Sequence, residues 1–509
     1  MKRRDILFLA GIILLGAIIR LLWITRVPPS LDWDEASVGY DAYSILQTGK
    51  DQWGQTFPVV FKSFGEFKYP VNVYFTALTT RLFGYGIFSV RVGSAIFGII
   101  DILLLFFLVL RLTKSKTIAF LSTLFLAVSP WSIQFSRANW ETNYGLFFFF
   151  LGVILFLKGL EKNKFWFIVS FAFLGLDLFT YNAAKVFVPL FVIAIVIIYF
   201  KGFIKSKVYV TLGLLIFLAF ILINVINPNL SGLTRFGQVT ITTRKTGVIQ
   251  TVIENYFSHF TPQFLFISGD ANPRHSIQTV GELYYYDLLL LPLGIFFLLR
   301  KRNNWSRLIL AWFFLAPIPA SIATEAPHAA RSMFAIGGWQ IVSAVGFFYL
   351  LTLIKKTDAK FLFMVFSSIV FILFTENYLI KYYRYYPIRY SGDWQYGYMK
   401  IFTDYKKDFS KYNKVVISDQ DGQPYIFALY YLKYDPNSFR KTVIRSPEDF
   451  LGNYTVKSFG NFVFKTVEDS DLQKNTLVFA SPNDKIDGIS PVGEIKDLNG
   501  EVSFWVYSN

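Results

Sequence analysis

Residues 1–36 read MKRRDILFLAGIILLGAIIRLLWITRVPPSLDWDEA, and they set the terms on which the rest of the chain is read. A basic cluster, Lys2-Arg3-Arg4, leads into an apolar run from Ile6 to Trp23. A helix of roughly 20 apolar residues crosses ~30 Å of hydrocarbon. The run is too long for a signal-peptide core, and Thr25-Arg26-Val27-Pro28-Pro29 stands where a small-residue cleavage site would be. It is therefore read as an uncleaved first transmembrane helix. Beyond it, Leu31-Asp32-Trp33-Asp34-Glu35-Ala36 sets acids among aromatic and apolar residues at the mouth of a membrane bundle. Carboxylates there are costly to desolvate and do nothing obvious for packing, which makes them functional candidates.

Of 509 residues, 54% are hydrophobic and 19% aromatic, and the mean hydropathy is +0.43. A soluble chain of this size is far poorer in Phe, of which there are 57 here. Apolar runs recur at 6–25, 88–110, 117–135, 143–160, 165–182, 186–200, 208–226, 284–299, 306–323, 333–354 and 361–380. The expectation is an α-helical polytopic membrane domain over residues 1–380, with about eleven transmembrane helices.

A net charge of +16 would by itself suit nucleic acid, but its distribution argues otherwise. After Lys2-Arg3-Arg4, basic clusters stand at Arg111/Lys114/Lys116, Lys158/Lys162/Lys164, Lys201/Lys205/Lys207, Arg300/Lys301/Arg302/Arg307 and Lys355/Lys356/Lys360. Each falls in an alternate, short loop, the positive-inside pattern. This puts the N-terminus in the cytoplasm and removes the case for nucleic acid. The opposite loops are 26–87, 130–142, a turn near 183, 227–283, 324–332 and the tail 381–509. They are rich in Trp, Tyr, Asn, Gly and acids and hold all three histidines, His259, His275 and His328. The chemistry is expected on this extracytoplasmic face. With no cysteine there is no disulfide framework and no thiolate site.

The tail, residues 381–509, is richer in Asp, Lys, Asn and Pro. Lys414 to Ser418, Asn461 to Thr466, Thr476 to Ala480 and Val502 to Tyr507 read as strands. Pro424 to Leu432 reads as a helix with Pro in its first turn. A small extracytoplasmic α/β domain without a catalytic motif is expected. In loop 26–87 the spacing of Tyr40, Tyr43, Ile45 and Leu46 predicts amphipathic helices at the membrane surface.

Each candidate residue also has a plainer account. Asp34 and Glu35 would suit the start of a helix as caps. Arg137 and Glu141, in Arg137-Ala138-Asn139-Trp140-Glu141, are four apart and would pair weakly on a helix. The sharper reading makes Glu141 a second carboxylate beside Asp34. Gly269-Asp270-Ala271-Asn272-Pro273-Arg274-His275 suits an anion clamp through the planar fork of Arg, or a loop tied by its own turn residues. In Pro327-His328-Ala329-Ala330-Arg331, Arg331 sits at a helix end where snorkelling alone would account for it. The histidines raise zinc, but no pair has ligand-type spacing and no metal is assigned. Asp101 and Asp177, inside apolar runs, suit interhelical hydrogen bonds or a proton path. Arg20 is expected to snorkel or to pair with an acid near the rim.

Together these residues resemble the GT-C glycosyltransferases that use polyprenyl-phosphate-linked sugars. The branch is that of the dolichyl-phosphate-mannose protein O-mannosyltransferases and the bacterial lipid A aminoarabinose transferase. The resemblance covers residues 1–380 and rests on Asp34-Glu35 after the first helix and on Glu66-Phe67-Lys68-Tyr69-Pro70. It rests also on the loop from Arg137 to Glu141 and on Pro327-His328 with Arg331. In the aminoarabinose enzymes the second stretch reads Glu-Lys-Pro-Pro; here Phe67 intervenes and Tyr69 takes the place of the first Pro. The tail is similar to small extracytoplasmic domains of bacterial members.

The resemblance implies an enzyme that moves a sugar from a polyprenyl-phosphate donor to a hydroxyl of a protein, glycolipid or polysaccharide. Asp34 is then the general base, with Glu35 and Glu141 in support. Lys68, Arg274, His275, His328 and Arg331 would bind the donor phosphate, and Glu66, Arg137 and Asn139 the sugar or acceptor. No cofactor is implied: fixed cations suffice for a monophosphate leaving group, and a divalent metal is not required. One alternative is a lipid or sugar transporter, which would bind near the bilayer midplane across repeats that this sequence lacks. Another is a membrane-anchored assembly protein of the cell envelope, which has no need of acids and bases spread over four loops.

Overall fold

The computed structural model describes residues 2–161, 163–204, 206–227, 247–449, 454–486 and 488–508. A third of the expected loop 227–283, residues 228–246, and the side chain of Glu66 lie outside the described residues. The first ten helices are α1 (Arg3–Leu21), α2 (Trp33–Thr48), α3 (Pro70–Phe83), α4 (Ile87–Thr113), α5 (Lys116–Val128), α6 (Pro130–Arg137), α7 (Thr142–Glu161), α8 (Phe165–Asp177), α9 (Ala184–Ile204) and α10 (Lys207–Ile226). A β-hairpin, β1 (Phe61–Ser63) with β2 (Glu66–Lys68), lies between α2 and α3. Further long helices are Asp287–Lys301, Asn304–Leu315, Ala335–Leu353 and Thr357–Ile380.

Each apolar run contains a helix, but fewer of these helices than expected meet the length and apolarity of a membrane crossing. Six do so among the described residues: Ile87–Thr113, Thr142–Glu161, Ala184–Ile204, Lys207–Ile226, Ala335–Leu353 and Thr357–Arg389. A seventh arises if α5 and α6, bent by 53° at Ser129-Pro130, make one span. The bend has a local cause: Ser129 caps α6 and Pro130 opens it, with no N–H to continue the preceding ladder. The other helices are shorter, or, as with α1, carry Arg3, Arg4, Asp5 and Arg20 within nineteen residues. Among the described residues, six or seven of the eleven expected crossings meet that test.

The chain forms two compact units. The first comprises residues 1–22 and 94–381. Its core is aromatic: Phe149 meets Phe187, Phe191, Trp312 and Phe334 at ring separations of 4.9 to 5.5 Å. Glycines let two helices touch along their backbones. A Cβ on Gly346 would lie 2.0 Å from the Leu290 carbonyl oxygen, and one on Gly294 2.1 Å from that of Val342. Arg20 does not snorkel, and it lies within electrostatic reach of Asp101. It is buried and donates to the Ala127 and Leu126 carbonyls and to Ser132 and Ser136, so it closes the end of α5. Asp177 accepts from Thr180 at 2.9 Å. Among the described residues, no hydrogen-bond partner reaches either oxygen of buried Asp101.

The second unit comprises residues 23–93 and 382–509. The sequence reading placed 26–87 with the membrane domain; here Leu31, Ala36, Tyr40 and Val90 share one core with Tyr398, Phe427 and Phe439. The strands of its seven-stranded sheet are β3 (Lys414–Ile417), β4 (Ile444–Arg445), β5 (Val456–Phe459), β6 (Phe462–Phe464), β7 (Thr476–Ala480), β8 (Gly493–Lys496) and β9 (Val502–Ser508). They lie in the order β4-β5-β6-β3-β7-β9-β8, with β3 parallel to both β6 and β7. Central β3 is the apolar run Val415-Val416-Ile417, as a strand covered on both faces requires. The strands expected near 414, 461, 476 and 502 are present, as is the helix Pro424–Leu432. Sequence reading missed β4, β5 and β8, which are short; β5 and β8 also carry polar residues at exposed positions.

Candidate functional site

In the second unit the three acids at the start of α2 divide their labour. Asp32 is the N-cap: its carboxylate accepts the Glu35 N–H at 2.8 Å. Capping therefore does not account for Asp34 or Glu35, which occupy the first turn. Asp34 accepts from Lys68 Nζ at 2.5 Å and from Trp33 Nε1 at 3.1 Å. Its side chain keeps 26% of its exposure, whereas that of Lys68 keeps 6%.

The hairpin explains why Lys68 is there. Phe64 and Gly65 both have positive φ, +51° and +82°, the left-handed pair a two-residue hairpin turn requires. The hairpin pairs Phe61 with Lys68 and leads into Tyr69 and Pro70, the cap and first residue of α3.

Glu35 is turned elsewhere. It is fully buried and takes two bonds from Arg91, Nε to Oε1 at 2.9 Å and Nη2 to Oε2 at 2.7 Å. The same guanidinium donates to the carbonyls of Ile24, Pro28 and Ser30. The pair fastens the segment that leads into α2. Glu35 was read from sequence as a catalytic residue in support of Asp34; in the structure its carboxylate is bound on both oxygens by Arg91. Arg91 was missed, and its signal was a lone charge near the start of an apolar run.

In the first unit, α6 ends at Arg137, so Arg137 and Glu141 do not share a helix. Arg137 is buried and donates to the carbonyls of Ile19, Arg20 and Leu22, closing the end of α1. Carbonyls at a helix end need such donors, so the guanidinium has a structural use beside the sugar- or acceptor-binding role expected from the sequence. Asn139 is buried and accepts from the Tyr144 hydroxyl at 3.3 Å. Glu141 is half-buried, within electrostatic reach of Lys185.

The histidine loops of the first unit converge on Asp270. Asp270 Oδ2 lies 3.0 Å from His275 Nδ1 and 3.7 Å from His328 Nδ1, and it accepts the Ala329 N–H at 2.6 Å. Burial opposes its charge, but His275, His328 and the hydrogen bonds outweigh it and hold the carboxyl well below its usual range. His259 plays a supporting part: Nδ1 donates to the Asn255 carbonyl, and Nε2 accepts the His328 N–H at 3.2 Å. Burial lowers its pKa to about 4, so it is neutral. Burial also keeps His328 well below the ordinary histidine value. Both rings read from sequence as phosphate donors thus direct Nδ1 at a carboxylate. Arg274 is half-buried, and its carbonyl accepts from Gln134. Arg331 reaches the Glu325 carboxylate at 3.4 Å. The grouping around Asp270 was hidden from sequence because His328 is remote from Asp270 and His275.

Residues 68–226 match the family model described as dolichyl-phosphate-mannose-protein mannosyltransferase. No curated protein sequence matches the chain. Among solved structures, the fold is similar to that of ArnT from Cupriavidus metallidurans bound to undecaprenyl phosphate. That alignment has a TM-score of 0.61 and 13% identity and covers 98% of this chain and 97% of that one. It is similar also to the apo oligosaccharyltransferase of Archaeoglobus fulgidus, with a TM-score of 0.56, 14% identity and coverage of 85% and 64%. AglB of the same organism, in complex with an inhibitory peptide and a dolichol-phosphate, aligns with a TM-score of 0.54, 13% identity and coverage of 84% and 64%. The chain spans about 64% of the length of these archaeal proteins. At such identities the structural likeness is one of fold. The matched family model covers residues 68–226, and the likeness of fold to ArnT extends over nearly the whole chain.

Proposed function

We propose that the chain moves a sugar from a polyprenyl-phosphate donor to an acceptor hydroxyl on the extracytoplasmic face of the membrane. The Asp34–Lys68 pair at 2.5 Å carries the reading. It joins a half-buried carboxylate to a buried ammonium with three donors, the two charges that this transfer needs. Support for the donor class comes from ArnT and AglB, whose structures hold undecaprenyl phosphate and dolichol-phosphate.

In the proposed reaction Asp34 takes the proton of the acceptor hydroxyl as its oxygen attacks the anomeric carbon. The bond from that carbon to the phosphate oxygen breaks, and the lipid phosphate leaves with the electron pair. Lys68 moves from Asp34 to the phosphate. The exchange leaves the carboxylate free to act as base and sets a cation where charge develops. Arg274 and Arg331 are assigned to the donor phosphate, Glu141 to support of the acceptor, and Glu66 and Asn139 to the sugar or acceptor. Glu35 positions α2 through Arg91. The positive-inside pattern supports a cytoplasmic N-terminus and an external tail.

Asp34→Asn is expected to lower kcat for transfer from a polyprenyl-phosphate sugar by ~10²–10⁴-fold. Asn keeps an oxygen for Lys68, so the variant should fold and retain its affinity for the lipid phosphate, and undiminished turnover would remove Asp34 from the role of base. Lys68→Ala is expected to raise the donor KM as well.

A further inference from the structure

We infer that Asp270, His275 and His328 form a binding site for one divalent metal ion of the zinc class, which clasps segment 269–276 to the turn 324–332. Each residue offers one ligand atom, and the three atoms lie within 4.8 Å of one another. A tetrahedral zinc ion with bonds of ~2.0–2.2 Å spaces its ligand atoms roughly 3.4 Å apart. The separations here, 3.0 and 3.7 Å from Asp270 Oδ2 to the two Nδ1 atoms, bracket that value.

The hydrogen bonds around the cluster favour a cation. His328 Nδ1 accepts the Arg331 N–H at 3.4 Å, so it presents a lone pair. Opposite it stands Asp270 Oδ2, also an acceptor and already bonded to the Ala329 N–H. With His328 Nδ1 an acceptor, its lone pair and the Asp270 carboxylate both face the place where a cation would sit. The surroundings hold the ligands as outer partners do in metal sites. Asn272 N–H donates to Asp270 Oδ1 at 2.8 Å, and Asp270 N–H donates to Glu282 at 3.0 Å. His259 holds the backbone of His328, and Phe135 and Trp140 pack on the His275 ring. A set of two imidazoles and one carboxylate suits zinc, whereas calcium and magnesium favour oxygen alone.

Arg274 precedes one ligand and Arg331 follows another by three positions, so the clasp would also fix both arginines assigned to the donor phosphate. That consequence rests on the proposed function; metal binding does not.

The test uses the full chain, purified through an affinity tag free of histidine and dialysed against zinc or cobalt(II). Elemental analysis should find stoichiometric zinc in the wild type and a loss of at least tenfold in His275→Ala/His328→Ala. The cobalt form should show the visible d–d bands of a tetrahedral site. Because the chain has no cysteine, His328→Cys should add a thiolate-to-cobalt charge-transfer band, which serves if the double variant does not fold. Wild-type protein that takes up neither metal overturns the proposal and leaves a hydrogen-bonded Asp–His network. Stoichiometric metal in the folded double variant overturns it too. None of these readouts uses sugar transfer, so they stand or fall apart from the glycosyltransferase reading.

Discussion

Asp34 and Glu35 are adjacent, yet one keeps a quarter of its exposure and the other none. Successive residues on a helix point about 100° apart, so neighbours in sequence meet different surroundings. Lys68 meets the first and Arg91 the second. Removing one partner of a buried pair strands the other charge, at a cost of about 3–5 kcal/mol. Glu35→Ala is therefore expected to reduce the yield of monodisperse protein and its melting temperature, while kcat per folded molecule changes little. A variant as stable as wild type but catalytically dead would return Glu35 to the chemistry.

At the scale of the element, α2 is set by its ends and by one buried acid. Asp32 caps its start, and Gly49 ends it with φ +69°. Midway, Asp41 is buried and bonded to Gln52 through the backbone N–H and Nε2, both at 3.0 Å. Burial, aided by the charge of Asp51, raises the Asp41 pKa to about 7, against the lowering effect of the Gln52 bonds. A carboxyl with a raised folded pKa binds its proton more tightly when folded. Its contribution to stability is full below the unfolded value of 3.8 and is lost as pH rises towards 7. Thermal unfolding of the wild type should thus shift downwards between pH 4 and 7, and Asp41→Asn should flatten that slope. Equal slopes in the two proteins would show that Asp41 is ionised throughout.

At the scale of the whole molecule, orientation is the open expectation, and the absence of cysteine makes it measurable. Ser410 and Lys356 are both exposed, the first in the tail and the second in a basic loop. An impermeant maleimide on intact cells should label Ser410→Cys and spare Lys356→Cys until the membrane is opened. The reverse pattern would invert the positive-inside reading.

The membrane class, the basic loop ends and the α/β character of the tail were legible in the chain because each follows from local composition and periodicity. Asp34-Glu35 was legible as an anomaly for the same reason, since charge beside apolar runs is a local property. Partners were not legible. Lys68 lies 34 residues from Asp34, Arg91 lies 56 from Glu35, and Ala329 lies 59 from Asp270. Such pairings depend on how elements pack, which no local pattern encodes. Tertiary structure thus decided that Asp32 is the cap, that Arg137 closes a helix and that His328 joins His275 at one carboxylate. It also broke apolar runs into shorter helices, because Pro and buried charge act within a run whose average hydropathy hides them.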